Sequence, residues 1–249
     1  MLKGTWDVTR KWDAAWVVFI ILGAVGGVSF MHRSPGVTAL LTVCLLALAF
    51  ARWRDPLDVA LAGVGAVFGP ALEFVATEQG LWTYAATSVA RLPAWVFVMW
   101  ALFPIGLFRL IRVLHVDATR PERLPPHVMV LLGLGLVTVE IPLLGTLGNS
   151  SPYLTAVLCG VVLFPVVMLV RSARTYLVLL LGGVLGPVFE SFPIAAGAWS
   201  YPTAVVGGLS PWLPTGYALF CMALVLTALG VEGLVTASST QKTPHAAGT

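Results

Sequence analysis

The chain has 249 residues, of which 58% are hydrophobic and only 10% charged, with a net charge of +3. A soluble domain carries about 25% charged residues, so at a mean hydropathy of +0.93 the solvent for most of this chain is lipid. That excludes a nucleic-acid binder, a disulfide scaffold and a disordered chain.

A transmembrane helix needs about 20 mostly apolar residues. On that template eight spans are predicted, at residues 14–31, 35–51, 57–78, 92–114, 127–147, 152–170, 174–193 and 211–235. Residues 1–13 precede them as a charged N-terminal segment with no small-residue cleavage site, so the first span is expected to stay in the protein. The run Arg52-Trp53-Arg54-Asp55-Pro56 separates spans two and three. Residues 14–114 form a first four-span unit, residues 115–126 link it to a second unit at 127–236, and residues 237–249 are expected to be a disordered tail. Cys44, Cys159 and Cys221 lie inside apolar runs without a CxxC pair and read as small core residues. The four histidines are scattered, so neither a metal nor another cofactor is expected.

Lys and Arg test the span count. With eight spans, Lys3, Arg10, Lys11, Arg52, Arg54, Arg109, Arg112, Arg120, Arg123, Arg171, Arg174 and Lys242 share one side, and only Arg33 and Arg91 fall on the other. Basic residues favour the cytoplasmic side, which puts both termini there; the expected setting is a bacterial plasma membrane. Arg109 and Arg112 read as cytoplasmic anchors.

The chain also repeats itself. A shift of 117 residues aligns 33–110 with 150–227 without a gap, and 22 of the 78 positions are identical. Gly69-Pro70 falls on Gly186-Pro187, Glu73 on Glu190, Trp82 and Tyr84 on Trp199 and Tyr201, and Trp95 on Trp212. Each unit holds an even number of spans, so both insert the same way round. The expected fold is all-α: a polytopic membrane protein with eight transmembrane helices as two parallel four-helix repeats, related by a pseudo-two-fold axis along the membrane normal.

The repeated motif is Gly-Pro-x-x-Glu, six residues, Gly-x-Trp-x-Tyr, then a Trp eleven residues after the Tyr. It places Glu73 about 22 Å along its helix from Asp58, in the outer part of the bilayer, with Glu190 at the matching depth. Glu140 in span five sits at similar depth, but its register partner is Gly23. A carboxyl group within the membrane costs roughly 2.5–3.5 kcal/mol on insertion scales and lines the bundle interior, where burial favours the neutral acid. Pro70 and Pro187 remove a helix donor, so a kink is expected beside each acid, with the carbonyls of Ala66 and Gly183 freed.

Two accounts stand for these residues. Glu73 and Glu190 serve proton chemistry, or they bond across the pseudo-two-fold to hold the halves together. Trp82, Tyr84, Trp199 and Tyr201, with Trp95 and Trp212, serve a bound molecule, or they form the aromatic belt routine at a membrane interface. Trp100 and Tyr217 complete the candidate aromatic set. Glu78, facing Ala195 in the repeat, reads as a solvated loop acid. Aromatic rings stabilise cations by about 2 kcal/mol or more when desolvated, so acids beside them suit carbocation chemistry in a lipophilic polyene.

An acid followed by Gly-x-Trp-x-Tyr, a loop and a Pro-led helix, present twice, resembles the membrane-integral lycopene cyclases. More loosely it is similar to carotenoid hydratase-type proteins and to small membrane-integral meroterpenoid and sesquiterpenoid cyclases. The resemblance covers residues 65–100 and 182–217. It implies an isoprenoid cyclase working without redox or metal, with Glu73 or Glu190 as general acid, the other and Glu140 assisting, and the Trp and Tyr rings shielding the cation. One departure stands out: the lycopene cyclases place paired glutamates after the loop proline, where this chain has Ala94-Trp95 and Trp212-Leu213. The implied partners are a lipophilic isoprenoid substrate and the bilayer, with no nucleic acid. The alternatives are a proton-coupled small-molecule transporter and a membrane assembly protein without chemistry of its own.

Overall fold

The structure is a computed structural model that describes residues 8–89, 91–114 and 124–240. Helices α1 (Val8–Met31), α2 (Pro35–Arg52), α3 (Pro56–Glu78) and α4 (Trp95–Val113) form the first unit. The second comprises α5 (Pro126–Leu147), α6 (Pro152–Val170), α7 (Ala173–Leu180), a π-helical turn at Leu181–Leu185, α8 (Gly186–Ala195) and α9 (Leu213–Thr240). By length and composition eight of these segments can cross a membrane, the α7–π–α8 stretch counting as one. Prolines open α2, α3, α5 and α6, where the absent N–H would have no partner in any case. The Asp55 backbone N–H donates to Asp58 Oδ2 at 3.1 Å, and Ser172 Oγ accepts from the Thr175 N–H at 3.1 Å. Each bond satisfies a donor that a helix start would otherwise leave open.

α4 and α9 are the innermost helices, and every residue from Ala218 to Ala228 is buried, the polar Thr227 included. α1, α2, α5 and α6 stand outside and expose large apolar side chains such as Phe30, Leu40, Val161 and Phe164, as lipid-facing helices do. Glycines let α3 approach α4. Gly65 lies against the Trp100 carbonyl and Pro104, and Gly69 against the Trp100 ring. The second unit repeats the device 117 residues on, with Gly182 against Cys221 and Gly186 against the Tyr217 ring. Small residues four apart are a common way to bring membrane helices together.

The halves meet at the end of the bundle where α3 and α8 finish. Strands β1 (Thr83–Tyr84) and β2 (Trp199–Ser200) pair antiparallel, with Thr83 opposite Ser200. These two are register equivalents, so the pseudo-two-fold axis passes between them along the bundle. Gly80 and Gly197, also equivalents, take φ of 67° and 80°, a conformation glycine adopts without steric cost. They turn the chain from helix into strand.

Several boundaries differ from expectation. α1 begins within the segment assigned to the N-terminus, and α9 runs on to Thr240, so residues 237–240 are helical. Most of the linker and the rest of the tail lie outside the described residues. The expected pair of kinks is not symmetric: α3 passes unbroken through Pro70, whereas the second copy widens into the π turn before Pro187. Cys159 and Cys221 are buried, but Cys44 is exposed on the outer face of α2, because α2 is peripheral.

Candidate functional site

Glu73 sits near the C-terminal end of α3 and is 7% exposed. Its carboxyl group is surrounded by donors from its own half. Oε2 accepts from Trp82 Nε1 at 2.9 Å and from the Tyr84 hydroxyl at 2.6 Å, and Oε1 accepts from Trp100 Nε1 at 3.0 Å. The Gly-x-Trp-x-Tyr segment therefore folds back over the helix end that precedes it, while Trp100 reaches in from α4 across the glycine seam.

Glu190 on α8 has the same arrangement with one donor fewer. Oε2 accepts from the Tyr201 hydroxyl at 2.8 Å and Oε1 from the Tyr217 hydroxyl at 2.7 Å. Tyr217 is the register partner of Trp100, so a phenol does in one half what an indole does in the other. The account in which the acids bond across the axis is corrected: both are held inside their own halves, because the strand turn returns each aromatic pair to its own helix.

The rings do meet across the axis. Trp82 packs on Tyr201 with centroids 5.5 Å apart, and Tyr84 on Trp199 at 5.7 Å. Trp82 also meets Trp212 at 6.1 Å, and Trp95 meets Trp199 at 6.2 Å. Each contact is the symmetry mate of the other. Trp82, Trp95, Tyr201 and Trp212 are buried, so they belong to the interior rather than to a belt facing the membrane surface. Burial holds the Tyr84 and Tyr201 phenols well above their ordinary value.

Beneath this aromatic roof lies a cavity of about 130 Å³. Its floor and walls come from α1 (Ile20, Ala24), α4 (Met99, Gly106) and α8 (Phe189), and Glu73 and Glu190 both border it. Of the sequence-derived candidates, Trp82, Tyr84, Trp95, Trp100, Trp199, Tyr201 and Tyr217 also line it. Glu140 and Trp212 do not; they line a smaller cavity on the far side of the acids. Trp95 Nε1 is buried without a hydrogen-bond partner among the described residues. The α1 wall carried no polar or repeated signal, so nothing in the sequence pointed to it.

The basic residues near the opposite end do more than anchor. Arg109 donates from Nε to Asp58 Oδ1 at 3.0 Å and from Nη2 to Asp55 Oδ2 at 2.8 Å, and Arg112 donates to the same Asp55 oxygen at 2.6 Å. These bonds tie the end of α4 to the start of α3, and the Arg112 guanidinium holds the Asp55 carboxyl below its usual range. Glu78 pairs with Arg91 at 3.3 Å, with both side chains well exposed. Among the described residues no group of three or more His, Cys, Asp or Glu is placed to hold a metal ion.

No protein-family model matches the sequence, and no curated protein matches it significantly. Among solved structures the chain is similar to a mycobacterial Insig homolog, MvINS from Mycobacterium vanbaalenii, and to a cross-linked trimer of an MvINS variant. In both, the likeness has a TM-score of 0.58 at 20% identity and covers 73% of this chain and 97% of that one. This overturns the resemblance to lycopene cyclases. The short acid–Trp–Tyr pattern that carried it is, in this fold, a hydrogen-bonded closure of a helix end, which any bundle that must seal α3 against its outer loop can use.

Proposed function

We propose that this integral membrane protein is a non-catalytic binding and assembly protein, which holds a lipophilic molecule in the large cavity beneath the aromatic roof. One observation carries the reading: a cavity of about 130 Å³ within the bundle, walled by apolar side chains, one of which, Trp95, has a buried indole N–H without a hydrogen-bond partner among the described residues. Such a site suits a mostly apolar molecule with one hydrogen-bond acceptor at its outer end. The acids support holding over cyclisation, since the oxygens of Glu73 and Glu190 are already engaged by five fixed donors. The excess of Lys and Arg on one side supports both termini being cytoplasmic. Because one matched structure is a cross-linked trimer, the same stoichiometry is proposed here, and light scattering on the purified protein checks it.

Native mass spectrometry of the full chain, released from nanodiscs, tests the binding. A retained lipid adduct is expected. Gly106→Trp, which places an indole in the cavity where an added Cβ comes no closer than 3.5 Å to Ile21, should abolish it. Trp95→Phe should weaken it without altering the fold. No adduct on the wild-type chain, or an adduct indifferent to both changes, overturns the reading.

A further inference from the structure

The repeat register maps the large cavity onto a second place. Trp95, Met99, Phe103 and Phe189 line the first. Their partners Trp212, Gly216, Phe220 and Leu72 line the smaller cavity, of about 30 Å³. In it α5 takes the place of α1. Two features set this twin apart. α5 packs closely on α9, with Gly133 against Thr227 and the Ala223 carbonyl, and Gly230 of α9 against Val130 and the Pro126 carbonyl. And position 140 is a glutamate where α1 has Gly23.

Glu140 is 1% exposed and Trp212 3% exposed. Glu140 Oε2 and Trp212 Nε1 are both buried, and neither has a hydrogen-bond partner among the described residues. They flank one glycine: a Cβ on Gly216 would lie 3.2 Å from the Trp212 ring and 3.7 Å from Glu140 Oε1. Two residues that line one small cavity thus carry, one an unpartnered carboxyl oxygen and the other an unpartnered indole N–H. Buried polar groups left unpaired are costly and rare.

We propose that the second cavity is a binding site for one hydroxyl group, held between the Glu140 carboxyl and the Trp212 indole N–H. The two orphan atoms choose the chemistry. An indole N–H only donates, so the guest must accept; the Glu140 carboxyl accepts when ionised and can also donate when neutral, so a guest that both donates and accepts answers it in either state. A hydroxyl does both. An ammonium or a metal cation cannot accept from the indole, and an alkane can do neither. Glu73 and Glu190 border the same cavity, but their oxygens are taken by Trp82, Tyr84, Trp100, Tyr201 and Tyr217, so they form its wall. The hydroxyl comes from water or from a compact alcohol. The site is separate from the one proposed in the large cavity, whose α1 wall it lacks.

Indole N–H resonances of the full chain in nanodiscs, labelled with ¹⁵N at tryptophan, test this directly. The Trp212 signal is the one lost in Trp212→Phe. Without additive, a cross-peak from that N–H to water shows the hydroxyl to be water. A saturable shift with tert-butanol, replacing that cross-peak, shows that an alcohol takes the place. tert-Butylamine hydrochloride, equal in shape but cationic, should leave the signal unmoved. Glu140→Gln keeps an acceptor and should retain the site. Glu140→Leu should lose the water contact and weaken tert-butanol by about tenfold or more. Gly106→Trp should change nothing here, so failure of the large-cavity reading and failure of this one are distinguishable. No water contact together with no tert-butanol shift, an equal response to the amine, or a site unaffected by Glu140→Leu overturns the proposal.

Discussion

Thr83 and Ser200 face each other across the outer strand pair, Oγ1 to Oγ at 3.3 Å, and they are 117 residues apart. That separation is the spacing of the repeat. A residue that pairs with its own equivalent lies on the symmetry axis, so this contact marks where the two halves are joined. Everything on either side is then comparable position by position, and the differences between equivalents lead to sharp expectations.

The acids differ in their donors. At Glu73 two of the three donors are indole N–H groups, from Trp82 and Trp100, one on each carboxyl oxygen. In Glu73→Gln the amide NH2 must therefore face an indole N–H whichever way it is turned. At Glu190 both donors are tyrosine hydroxyls, which can rotate to accept instead. Glu73→Gln should destabilise the protein by about 1–3 kcal/mol and Glu190→Gln by less than about 1 kcal/mol. Thermal unfolding of the two variants side by side checks the order.

The glycine seams give a second expectation. A methyl group on Gly69 or Gly186 would run into the Trp100 or Tyr217 ring, so Gly69→Ala and Gly186→Ala should each cost about 1–3 kcal/mol. Gly63 and Gly135 lie in helices with nothing within 4 Å of an added Cβ. Alanine at either should stabilise by about 0.5–1 kcal/mol. The same unfolding assay reads both signs.

Asp55 carries a pH dependence. Its folded carboxyl lies below the ordinary aspartate value of 3.8, first because Arg112 donates to it. A lowered folded value means that the stabilisation is present above the ordinary value and is lost as pH falls through the folded one. Asp55→Asn should thus be less stable than wild type at pH 7, by at most about 1 kcal/mol for a side chain this exposed. The gap should hold down to about pH 5 and close under stronger acid, as unfolding curves across pH will show.

Tyr84 and Tyr201 should behave in the opposite sense. Burial raises both phenols well above 10, so the stabilisation is present below their unfolded value and is lost as pH rises through the folded one. In an alkaline absorbance titration of the five tyrosines, these two should ionise only when the protein unfolds. Tyr84→Phe and Tyr201→Phe should each leave the native part of the titration unchanged.

Much of the site was legible because a repeat doubles every signal. Glu73, Glu190 and the Trp and Tyr pairs recur at one spacing, and all of them border the large cavity. Their roles were less legible. A Gly-x-Trp-x-Tyr segment after an acid looks the same whether the rings shield a bound cation or donate to the acid itself. The distances of 2.6–3.0 Å around Glu73 decide for donation, and they depend on how sharply the chain turns at Gly80. Nor does hydropathy separate a belt tryptophan from a buried one, since both stand at the end of a span.

By itself the sequence determined the eight spans and their pairing into two parallel units. Those follow from hydrophobic length and from identity at a fixed register, both local properties of the chain. The tertiary structure alone decided that the twin cavities are unequal. α5 is drawn onto α9 by Gly133 and Gly230, while α1 stands off α4 beside the open cavity. How closely two helices approach depends on side chains meeting from both, and no spacing along a single chain records that meeting.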